Sequence, residues 1–99
     1  MAENPLAALG KIDPAMLKHL KDSDELIYGD GALPRKIKLL IALALDAAHG
    51  ASEGVRALAG AARKTGASSQ EIAECLRVAY HLAGVGALYT ASQGLKDLP

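Results

Sequence analysis

The sequence predicts an all-α protein. Apolar residues recur at i, i+3, i+4 and i+7 in several stretches, and no stretch shows the sustained alternation of a half-buried strand. Proline, glycine and capping residues fall between those stretches, at helix-length intervals. About five helices are expected, in a single domain spanning the 99 residues.

Residues 1–11 read as a flexible arm, with no periodic face. Asp13 can accept from free backbone amides, and Pro14 suits a first helical turn. A helix is therefore expected from Pro14 to about Leu26. Leu17, Leu20 and Ile27 would face inward, with Lys18, Lys21 and Asp22 outward. "YGDGALP" is a turn, because its glycines on either side of Asp30 permit positive φ. Pro34 then opens "PRKIKLLIALALDAAHG". Basic residues crowd the first turn of this helix, where the dipole does not favour them. From Leu39 to Leu45 the run is apolar on every side. Such a helix is buried all round, and in a chain this short a partner subunit is expected to cover one side.

Gly50 ends or bends that helix, and "ASEGVRALAGAARK" continues as the next. Gly66 suits a left-handed helix cap. Ser68 and Glu71 have capping-box spacing. In the helix they open, Ile72, Cys75, Leu76, Ala79, Leu82 and Ala83 form the apolar stripe. Glu74, Arg77 and His81 fall opposite. "VGALYTASQGL" is the last helix, after the glycines near 84–86.

Composition narrows the function classes. Eleven basic and 11 acidic residues leave a formal net charge of +0. No basic field exists for nucleic acid or an anionic membrane, so neither is an expected partner. "LLIALAL" is far below the roughly 20 residues of a membrane span. One cysteine forms no internal disulfide, and "MAENPLAALG" has no signal-peptide pattern, so a cytoplasmic location is expected. The core is poor in large side chains: there is no Phe or Trp, and only three Tyr. A chain like this gains from burying more surface in a homo-oligomer.

Few residues are candidates for chemistry. Cys75, on an apolar stripe, reads as a small core residue, and burial there would raise its pKa. His81 lies about 240° around the same helix and does not share its face. A Cys75 disulfide to a second copy is a further option. Asp46, His49 and Glu53 would line one side of a continuous helix and could move a proton, with His49 as the shuttle. Gly50 interrupts that helix, which favours capping and salt bridging at a junction. His81 is a more distant fourth candidate. Gly50, Gly54, Ala57 and Ala61 form a stripe of small residues that permits close helix packing. The glycine-rich stretches lack the strand and lysine of a phosphate loop. No metal or cofactor is expected.

Two segments, "GALPRKIKLLIALALDAAHGA" and "ALAGAARKTGASSQEIAECLRVAYHLAGVGALYTA", together resemble the carboxymuconolactone decarboxylase-like family, which includes the alkylhydroperoxidase D-like proteins. "KTGASSQEIAECLRVA" and "AGVGALYTA" carry most of the likeness, which covers roughly residues 31–95. The resemblance implies an alkylhydroperoxidase D-like helical bundle assembled as a trimer or hexamer. It also implies, for redox members, a Cys-x-x-Cys pair, a histidine four residues later and a glutamate upstream. Those positions fall on Ala51 and Gly54, on Leu58 and on Leu39. None matches, so neither the peroxidase nor the decarboxylase residues carry over. The expectation is a redox-inactive, oligomeric protein that binds a small organic molecule or has a structural role. The alternative is an acid–base enzyme acting on a small carboxylated or lactone-like substrate. The peroxidase activity that the family label would imply is disfavoured, because the cysteine pair is absent.

Overall fold

The computed structural model describes residues 6–98. Six helices, and no strand, occur among them: α1 (Ala7–Ile12), α2 (Pro14–Tyr28), α3 (Arg35–Ala48), α4 (Ser52–Lys64), α5 (Ser69–Ala83) and α6 (Gly86–Leu95). The chain divides into two compact units, Met1–Asp30 and Gly31–Pro99. The extra helix relative to expectation is α1, which takes up the second half of the expected arm. The arm's first five residues lie outside those described.

In the first unit, Asp13 caps α2 as expected, its carboxylate accepting from the Met16 amide at 3.0 Å. Leu17 packs against α1, where its Cδ2 lies 2.7 Å from the place a Cβ on Gly10 would take. The inward face expected of α2 is not buried: Leu20 and Ile27 are exposed and Leu17 is half-buried. Two helices alone have too little surface to enclose a core, and neither α1 nor α2 buries a residue.

The second unit holds the core. Leu39, Leu40, Leu43 and Ala47 of α3 are buried with Val55, Ala59 and Ala62 of α4. Ile72, Leu76 and Ala79 of α5 and Ala87 and Ala91 of α6 complete it. Glycine turns bring these helices together. After α3, Gly50 takes φ +79°, the Ala51 amide donates to the Asp46 carbonyl at 2.9 Å, and the Gly50 amide reaches Ala47 at 3.4 Å. After α4, Gly66 takes φ +95°, with the Ala67 amide on Ala62 and the Gly66 amide on Arg63, both at 3.0 Å. Both are Schellman closures, which satisfy the last carbonyls of a helix while reversing the chain.

Two polar features fix the start of α5. Ser68 and Glu71 form the expected capping box, with reciprocal bonds of 3.0 and 2.8 Å. The second Glu71 oxygen accepts from Lys36 Nζ at 2.9 Å, which ties the basic first turn of α3 to α5. The Ser68 amide and then the Lys36 ammonium hold the Glu71 carboxyl below its ordinary pKa.

The small-residue stripe expected over Gly50, Gly54, Ala57 and Ala61 is not the helix–helix seam. Gly50 lies in a turn and Ala57 is exposed. The close approach is between α4 and α6, at Gly94. A Cβ there would stand 2.6 Å from the Ser52 carbonyl oxygen and 2.7 Å from Val55 Cγ1. Gly60, inside α4, has open space around its Cβ position. Gly94→Ala is therefore expected to lose roughly 1–3 kcal/mol through overpacking. Gly60→Ala should instead gain about 0.5–1 kcal/mol of helix propensity. Denaturant unfolding of the two variants checks the contrast, and equal effects would contradict the seam.

Candidate functional site

The four positions that the resemblance singles out lie along α3 and α4. Leu39 is buried inside α3, Ala51 is the residue preceding α4, Gly54 lies in the first turn of α4, and Leu58 is half-buried one turn on. Ala51 offers no side-chain cap to the helix it precedes. The Asp46 carboxylate lies over the first turn of α4 instead. A Cβ on Gly54 would collide with Asp46 Oδ2 and stand 2.8 Å from Asp46 Cγ. A negative charge at a helix N-terminus is favourable by about 0.3–1 kcal/mol. Asp46 thus fills the space that a side chain at position 54 would need, and its charge suits the amides there.

The remaining candidates do not join Asp46. His49 closes α3 and is exposed, with its backbone amide on the Leu45 carbonyl at 3.0 Å. Its ring has no hydrogen bond or ion pair among the described residues. Glu53 is exposed and approaches Arg56 at 3.8 Å. Arg56 reaches Asp97 at 2.6 Å, and this hydrogen bond raises the guanidinium pKa against a smaller opposing effect of burial. That chain of charges fastens α4 to the segment after α6. His81 is exposed in the last turn of α5. No group of three or more His, Cys, Asp or Glu side chains suited to a metal occurs among the described residues.

Cys75 is half-buried. Its Sγ donates to the Leu40 carbonyl of α3 at 3.4 Å, and burial pushes the thiol pKa up. A raised pKa leaves little thiolate near neutrality, the form that attacks peroxide or disulfide.

A second feature lies between the C-terminal halves of α3 and α5. Ile41, Ala44 and Leu45 face Val78, Ala79 and Leu82 across a groove of about 280 Å³, and no polar surface opens onto it. Leu82 and Ala83, expected in the core, are exposed. Their helical period places them correctly on the apolar stripe, but in this chain nothing covers the end of that stripe. The sequence signals were the all-round apolar run of α3 and the Val78–Leu82 pair one turn apart.

Among the described residues no helix is long and apolar enough to cross a membrane. The architecture is a small all-α bundle with a thiol-free α3–α4 turn and an apolar groove. The sequence matches the model of the carboxymuconolactone decarboxylase family over residues 14–97, and the chain belongs to that family. No curated protein and no solved structure gave a match.

The Asp46–Gly54 contact has a measurable consequence. Gly54→Ala should be less favourable in the wild-type background than in Asp46→Ala, by a coupling of about 0.5–1 kcal/mol. A double-mutant cycle read by thermal or denaturant unfolding measures it. Purely additive effects would contradict the contact.

Proposed function

We propose that the protein is a redox-inactive member of its family that works as a homo-oligomer in the cytoplasm, by binding or scaffolding rather than by thiol chemistry. One observation carries this reading. Where the resemblance places a thiol pair, the chain has Ala51 and Gly54, and the Asp46 carboxylate packs against Gly54. Peroxide reduction by a dithiol route needs a thiolate and a resolving thiol within disulfide reach. The sole cysteine is on another helix, half-buried, with a raised pKa. Trimer or hexamer formation is the assembly that the resemblance implies. The apolar groove between α3 and α5 gives the oligomer, or a small organic ligand, a surface to cover.

The acid–base alternative keeps Asp46 as its best group, with a carboxylate at the first turn of α4. It lacks an oriented shuttle, because neither Asp46 nor Glu53 pairs with the His49 ring. His81 lies on α5, beyond this junction. The binding reading is therefore the better supported of the two.

A peroxidase assay with hydrogen peroxide and a dithiol reductant tests the proposal. Turnover at the level of the buffer control is expected for the wild type and for Cys75→Ser alike. Robust turnover that survives Cys75→Ser would overturn redox inactivity. Turnover abolished by Cys75→Ser would overturn it too, and would reassign the thiol as reactive.

A further inference from the structure

We draw no further inference here: the strongest candidate, the apolar groove that Ile41 and Leu45 of α3 form with Val78 and Leu82 of α5, exposes no more apolar surface than an ordinary monomer does, and nothing in the structure shows what covers it.

Discussion

The approach of α6 to α4 at Gly94 sets the geometry of the second unit. With no side chain at that position, α6 comes down onto the Ser52 carbonyl and Val55. Val55, Ala59 and Ala62 then suffice to fill the space between neighbouring helices. Two Schellman turns, at Gly50 and Gly66, return the chain tightly enough for α3, α4 and α5 to share that core. Among the described residues the largest fully buried side chains are Leu39, Leu43 and Val55. A core built on small side chains brings backbones close together but removes little apolar surface from water. Apolar side chains stay exposed on α3 (Ile41, Leu45), on α5 (Val78, Tyr80, Leu82) and on α6 (Leu88, Tyr89).

The same economy of side chains defines the candidate site. The Gly50 turn places Ala51 and Gly54 at the start of α4, and Asp46 reaches across to the first turn. A side chain at position 54 would need the room that the carboxylate occupies. At the junction the Asp46 carboxylate lies over the first turn of α4, and the one thiol sits against the Leu40 carbonyl. Polar contacts between distant segments serve attachment: Lys36 on Glu71, and Arg56 on Asp97.

Features set by local chemistry were legible in the sequence. Asp13 with Pro14, Ser68 with Glu71, and Gly66 each act within one turn, so residue identity and spacing nearly determine them. The family was legible for a related reason, because the order of caps, glycines and apolar runs is a linear pattern. What lies against each face is not linear information. The period of α2 marked Leu20 and Ile27 correctly as apolar, yet no element of that unit buries them. Leu82 and Ala83 had the right phase but lie where α5 has no cover. The spacing of Gly50, Gly54, Ala57 and Ala61 predicts a seam along those residues, whereas the close approach depends on Gly94 of α6. The Asp46–Gly54 contact crosses a helix break, so spacing rules for a continuous helix misplaced Asp46 relative to His49 and Glu53. The continuous apolar run of α3 was the one signal that spoke about tertiary cover, and Ile41 and Leu45 are the residues it left exposed.

On the oligomeric function proposed above, association would complete the burial that one chain leaves unfinished. The thermal unfolding midpoint, measured over about a hundredfold range of protein concentration, tests this most directly. Binding that is available only to the folded state stabilises by mass action, so the midpoint should rise with concentration. A midpoint that stays constant across the range, with reversible unfolding, would contradict the account.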